Sequence, residues 1–224
     1  MLYKYIKDLG FKPKGVVHLG AQHLQELDDY LWSEPEFIIW AECNPELYSS
    51  VSLKLLECLR KYPNIKQRLC PDAIYNVSNK EIDFFIYNHP EASSVFREGV
   101  ELCDYYPGHS ISKVVKVKTI TVDDMLDKFK VDENKVDYLS MDVQGAELLA
   151  IEGAVKLLTS KNLIWVHTEA VYNQYYDGGA NGKDVVTALE KYGFEIYKIH
   201  EHSSTYSSVT KVNQSDILFK RKNV

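Results

Sequence analysis

The chain has 224 residues, enough for one large domain with its own core. Hydrophobic residues are 45% of it and charged residues 26%, ordinary for a soluble globular protein, and no apolar run approaches the ~18 residues of a membrane-spanning helix. A net charge of −6, with no Lys/Arg cluster outside Lys220-Arg221-Lys222, weighs against nucleic acid as a partner, because phosphate binding needs basic surface.

The first residues lack a signal-peptide core, so a cytoplasmic location is the default. Residues 2–9 are predicted as a short helix closed by Gly10, part of a lead-in over 1–14 to a single domain spanning 1–224. Val16, Val17 and Leu19 make a buried strand that Gly20 breaks, and Leu24, Leu27 and Leu31 then recur at helical spacing. Residues 37–41 form a second apolar run, followed by Glu42 and Cys43. This is a βαβ unit with an acid roughly 20 residues past its glycine turn, where a carboxylate can grip a ribose diol. A dinucleotide site wants Gly-x-Gly-x-x-Gly, so that the backbone can approach a pyrophosphate. The turn here reads Gly20-Ala21-Gln22-His23-Leu24 and lacks the later glycines. S-adenosylmethionine carries no phosphate and is not held to that pattern. On this stretch alone, a nucleoside-cofactor site and a glycine that merely ends a strand are equal readings.

Asn44-Pro45 suits a helix start, with Leu47, Val51, Leu55 and Leu59 on one face. Residues 65–70 and 82–87 are predicted strands, the first followed by Pro71-Asp72-Ala73. The span 88–113 is irregular and reads as a functional loop region. Residues 114–121 alternate as a half-exposed strand, and Thr121 with Asp124 fits a capping box, so Asp123-Asp124 reads as a charged first turn rather than a metal site. Residues 136–141 make a buried strand ending at Asp142, Leu148 to Leu158 one helix, and 163–168 a strand ending at Glu169. A tyrosine-rich loop over 172–182 precedes a helix through Val185 and Leu189. Residues 194–199 and 217–220 are the last strands, joined by a Ser-rich loop and expected to pair antiparallel at an edge. The four cysteines form no C-x-x-C pair, so neither zinc nor redox chemistry is indicated.

The alternation predicts an α/β fold with a mainly parallel sheet, helices on both faces and a reversed last strand. Ligands in such sheets bind beyond the strands' carboxyl ends. Those ends carry His18 and Gly20, then Glu42, Asp72, Asp142 and Glu169, a rim suited to a cationic ligand such as a sulfonium.

Asp142-Val143-Gln144-Gly145-Ala146-Glu147, ahead of Ile151-Glu152-Gly153-Ala154, resembles the hallmark segment of FkbM-type methyltransferases. Gly20-Ala21, Glu42 with Asn44-Pro45, Ser93-Ser94, residues 119–123 and residues 215–219 resemble further family motifs in the same order, over roughly residues 15–220. The family's first strand usually ends Asp-x-Gly-Ala-Asn-x-Gly; here His18 replaces the acid and Leu24 the second glycine.

The resemblance implies a class I methyltransferase fold, Rossmann-like with seven strands. It also implies S-adenosylmethionine-dependent O-methylation, often of sugars or other glycan hydroxyls. The cofactor residues expected are His18, Gly20, Ala21, Gln22, Glu42, Cys43, Asp72, Ala73 and Asp142. Asp142 is the expected base, with a turn-capping role as its alternative, and Glu169 the residue that orients the acceptor. Ser93, Ser94, Tyr105, His109 and Tyr172 are the substrate-side candidates for a small-molecule or glycan acceptor. A divalent metal such as Mg²⁺ on Asp142 and Glu169 is the second mechanism, without a motif to indicate it. The competing functions are an NAD-dependent sugar oxidoreductase or epimerase and a degenerate binding protein. The oligomeric state is open.

Overall fold

The computed structural model describes residues 3–105, 108–204 and 211–223, the side chains of 103–105, 202–204 and 211–213 excepted. Its centre is a seven-stranded sheet. In chain order its strands are β1 (Gly15–Leu19), β2 (Phe37–Ala41), β3 (Lys66–Cys70), β7 (Tyr138–Met141), β8 (Trp165–Val171), β9 (Phe194–Ser204) and β10 (Lys211–Arg221). In space the order is β3-β2-β1-β7-β8-β10-β9. The pairings from β3 to β8 are parallel, and β10 runs antiparallel to both its neighbours. The reversed strand therefore lies inside the sheet, and β9 takes the edge. The two last strands are longer than their apolar runs, because ladder pairing carries polar residues beyond them; their connecting loop lies outside the described residues.

Side-chain alternation splits each strand between two cores. Val16, Ile38, Trp40, Tyr138 and Trp165 meet α1 (Tyr3–Asp8), α2 (Leu27–Trp32) and α3 (Pro45–Lys61). Val17, Leu19, Ile39, Leu139, Met141 and Val166 face α5 (Val122–Lys128), α6 (Glu147–Glu152), α7 (Val155–Thr159) and α8 (Gly182–Lys191). With both faces covered, β1, β2 and β7 are buried along their whole length. The Asn44 side chain accepts from Glu46 N at 3.0 Å with Pro45 behind it, so the predicted start of α3 forms as read.

A smaller sheet, not foreseen, is built from β4 (Ala73–Ile74), β5 (Glu81–Tyr87) and β6 (Ile111–Ile120), in the order β4-β6-β5. β5 and β6 pair antiparallel, and the span between them holds a turn of 3₁₀ helix at Pro90–Ala92 and the short α4 (Val100–Tyr105). Two further expectations are corrected. The helix read from Leu148 to Leu158 is two helices, because Gly153 runs so close to the Tyr75 carbonyl that a Cβ would sit 2.4 Å from it. Asp123 then caps α7, accepting from Lys156 N at 2.8 Å and Leu157 N at 3.2 Å.

The helix expected from Leu24 begins only at Leu27, because Gln22 and Leu24 are left-handed at φ +44° and +56°. Leu24 thus occupies the backbone conformation a glycine would adopt freely. That costs ~1–2 kcal/mol, but the side chain is 1% exposed in the α1–α3 core, and such burial contributes roughly 1.5–3 kcal/mol. Burial offsets the strain.

Candidate active site

One cleft opens beyond the carboxyl ends of β1, β2 and β7, with the small sheet as its far wall. It encloses about 640 Å³, its open mouth included. Of the residues singled out in the sequence, Gly20, Gln22, Glu42, Cys43, Asp72, Ala73, Ser93 and Asp142 line it. Leu47, Ile74, Phe84 and Val95 give it apolar walls. Phe84 and Val95 come from β5 and the segment after it, which no local pattern links to the β1 turn.

Gly20 is what lets the strand ends converge. It is left-handed at φ +85°, and a Cβ there would lie 1.7 Å from the Asp142 carbonyl oxygen. Asp142 N donates to Leu19 O at 2.9 Å, while Gly20 N and Ala21 N both donate to Ala41 O. The ends of β2, β1 and β7 are thereby tied in one row.

Glu42 sits at the base of this row, 8% exposed. Its Oε2 accepts from Gln22 N at 2.8 Å and its Oε1 from Asn44 N at 2.7 Å. Burial raises its pKa, and these two N–H groups oppose the rise. Each oxygen keeps a lone pair for a further donor. Asp72 is not a free anion: Lys128 Nζ stands 2.7 Å from its Oδ2. The rim is therefore less negative than four separate carboxylates would make it.

His18 and Ala21 do not reach the cleft. Strand alternation points His18 into the α1–α3 core, where it is 3% exposed and 5.2 Å from the Trp40 ring. Its Nδ1 is 2.7 Å from Tyr30 Oη, and Nε2 is 3.8 Å from Glu26 Oε2. Burial, with His167 nearby, pushes its pKa down to about 3, so it is a neutral packing residue. Ala21 is buried at 1%.

Asp142 and Glu169 are joined by one side chain. Gln144 Nε2 donates to Asp142 Oδ1 at 2.5 Å and to Glu169 Oε2 at 3.2 Å. Asp142 opens to the cleft, yet protein surrounds it on its other sides, and that desolvation raises its pKa; Gln144 opposes the rise and Asp216 adds to it. Glu169 is pushed well above the ordinary carboxylate range by burial, then by Asp142, Glu147 and Asp216. It pairs with Asp216 of β10 just past the last β7–β8 pair, and does not line the cleft. Among the described residues, no group of three or more His, Cys, Asp or Glu side chains is placed to hold a metal ion.

Most substrate-side candidates lie elsewhere. Ser94 is buried, donating from Oγ to Gln144 O at 2.6 Å and accepting from Phe96 N at 3.0 Å. His109 stacks on Tyr87 with ring centroids 4.3 Å apart. Tyr172 lines a separate, polar depression formed by 171–181 and Glu101. The side chain of Tyr105 lies outside the described residues. Of the four whose side chains are described, Ser93 alone lines the cleft, its Oγ accepting from Tyr87 N at 3.3 Å.

Glu147, the last residue of the 142–147 segment, is a buried acid that sequence reasoning passed over. It is 3% exposed, and its Oε1 accepts from Val143 N at 3.0 Å. Burial first, then Asp142, raises its pKa from 4.5 to about 7. Between those values the folded chain holds a proton that the unfolded chain has released, so stability declines as pH rises through this window. Glu147→Gln, which keeps the acceptor oxygen, is expected to gain about 2–3 kcal/mol on wild type between about pH 5 and about pH 8. Urea unfolding across that range checks it; parallel stability curves would refute the assignment.

The methyltransferase FkbM domain matches residues 33–196 of the chain. No curated protein matches it. Among solved structures the chain is similar to the magnesium protoporphyrin IX methyltransferase ChlM of Synechocystis PCC 6803 with bound SAM. That likeness has 12% identity and a TM-score of 0.51, over 99% of this chain and 76% of that one. It is also similar to the methyltransferase FkbM of Methylobacillus flagellatus KT, at 11% identity and a TM-score of 0.54, covering 93% of this chain but only 44% of that protein. At these identities the likeness is one of fold, the class I S-adenosylmethionine-dependent methyltransferase fold, whose seven strands and reversed last strand are those described above. With the FkbM domain matched over most of its length and the 142–147 segment inside the match, the chain belongs to the FkbM methyltransferase family.

Proposed function

We propose that residues 1–224 act as one domain that is an S-adenosylmethionine-dependent O-methyltransferase, its acceptor the hydroxyl of a sugar, a glycan or another small molecule. The observation that carries this is Glu42, held rigid by Gln22 N and Asn44 N at the base of a cleft that also gathers Gly20, Asp72 and Asp142. The residues fit the cofactor. Glu42 has free lone pairs for the ribose diol, and Leu47, Ile74 and Phe84 offer apolar walls to adenine beside Asp72 and Ala73. The backbone at Gly20 and Gln22, which line the same cleft, would contact the methionine end. When bound, the cofactor supplies an electrophilic methyl group on sulfur.

The chain's own work is positioning and proton removal. Methyl transfer is in line, so holding the acceptor close and aligned provides much of the rate. Asp142 faces the cleft, and its raised pKa makes it a stronger base for a hydroxyl proton than an ordinary carboxylate. Glu169 stands behind it through Gln144. A neutral, hydroxyl-bearing acceptor suits this rim better than a polyanion, given the net charge of −6.

Two features disfavour a nicotinamide dinucleotide. α2 starts seven residues after Gly20 and has only six residues. Its first turn carries Asp28 and Asp29, with Glu26 before it, so it offers no helix N-terminus to a pyrophosphate.

Isothermal titration tests the reading. Wild type should bind S-adenosylmethionine and not NAD, and Glu42→Gln should weaken binding by about 10- to 100-fold, the value of one or two hydrogen bonds to a charged group. Equal affinity in the variant would remove Glu42 from the site.

A further inference from the structure

The turn at 142–146, the segment at 92–96 and the loop at 171–181 meet at one hydroxyl. Tyr176 Oη lies 2.8 Å from Gln144 Oε1 and 2.9 Å from Ala92 O. Its ring is 4% exposed and rests against Gly145 and Gly179, where a Cβ would come within 2.9 Å and 2.8 Å of Tyr176 atoms. The glycines make room for the ring. Gln144 is left-handed at φ +50°, with its carbonyl held by Ser94 Oγ. Backbone and side chain of Gln144 are thus both fixed by neighbouring segments.

An amide has donors on nitrogen and acceptors on oxygen, so its orientation follows from what faces each end. The single Tyr176 hydroxyl proton is shared between the Ala92 carbonyl and Gln144 Oε1, and its donation to Oε1 turns Nε2 toward Asp142 and Glu169. Tyr176 stays in the O–H form, since burial, then Glu169, Glu147 and Asp142, push its pKa well above the ordinary value. Donors facing a carboxylate favour its ionised form.

We propose that Tyr176 is a positioning residue for proton removal from the acceptor: through Gln144 it favours the ionised form of the Asp142–Glu169 pair and keeps Asp142 turned to the cleft. This rests on the assignment of Asp142 as base. The charged groups around the pair are Asp216 from β10, Glu147 from α6, His167 from β8 and Glu26 ahead of α2. Asp216 and Glu147 drive a proton onto the pair, and His167 opposes them at Asp142. Gln144 Nε2 opposes them as well, but only while its amide is held in this orientation.

The test is a ¹³C NMR titration of labelled Asp and Glu carboxyls in wild type, Tyr176→Phe and Gln144→Met, with lines assigned through Asp142→Asn and Glu169→Gln. Tyr176→Phe keeps the buried ring, and thermal unfolding verifies that it folds. Both variants should raise the apparent pKa of the pair by about one unit. The double variant should add little to either alone, because both act through one amide. Curves that superimpose on wild type would overturn the proposal. Calorimetry with S-adenosylhomocysteine runs alongside as a reading of the cleft alone. Failure of wild type to bind it would remove the methyl-transfer assignment, and the carboxyl titration would still decide whether Tyr176 governs the pair.

Discussion

Gly20→Ala is expected to lower stability by about 3–5 kcal/mol, roughly 10 °C in melting temperature, and to abolish cofactor binding. The left-handed backbone alone accounts for about 1–2 kcal/mol. The larger part is steric: the new methyl would lie 1.7 Å from a backbone oxygen, that of Asp142, which no rotamer can relieve. The ends of β1 and β7 would have to part, at the expense of the Asp142 N to Leu19 O bond and the packing beneath it. Gly10 provides the control. It too is left-handed, at φ +71°, but a Cβ there has nothing within 4 Å. Gly10→Ala should therefore show the conformational cost alone. Thermal melts and S-adenosylhomocysteine titrations of both variants separate the two causes; equal losses would disprove the steric account.

Asp142→Asn is expected to slow methyl transfer by about 100- to 10,000-fold while leaving affinity for S-adenosylhomocysteine within a few-fold. The substitution keeps the side chain's shape and leaves the backbone contact with Gly20 untouched. It removes the proton acceptor and nothing else of comparable size. In wild type, activity should fall as pH drops through the raised pKa of the Asp142–Glu169 pair, above the ordinary carboxylate range, because the base works only when ionised. The residual activity of the Asp142→Asn protein should lack that acid limb. Undiminished turnover with any acceptor that wild type methylates would leave Asp142 as a structural cap.

What the sequence disclosed was local or marked by a special residue. Gly20 announced the turn, Asn44 and Thr121 their helix starts, and strand-end acids the side of the sheet where the cleft opens. What it withheld depended on partners far along the chain. The two-residue strand Ala73–Ile74 is too short for any periodicity, and it exists because Thr119 and Ile120 pair with it. The break between α6 and α7 is imposed by the Tyr75 carbonyl. Ser94, His109 and Tyr172 belong to spans whose course is set by packing against other segments, so composition could name them but not aim them. Among the tyrosines at 172, 175 and 176, nothing local distinguishes the one that reaches Gln144. His18 is different, since alternation with Val16 already placed it on a covered face.

The wedged position of β10 has a consequence for how the chain acquires its shape. Among the described residues β9 pairs only with β10, which joins it to β8. During synthesis from the N-terminus, Phe194–Ser204 must wait with both its edges open until the closing segment arrives. With Ile196, Tyr197 and Ile199 on its surface, that waiting strand is a ready template for another nascent chain. Substitutions in residues 211–221 that weaken their pairing with Phe194–Ser204 should thus lower yield in cells.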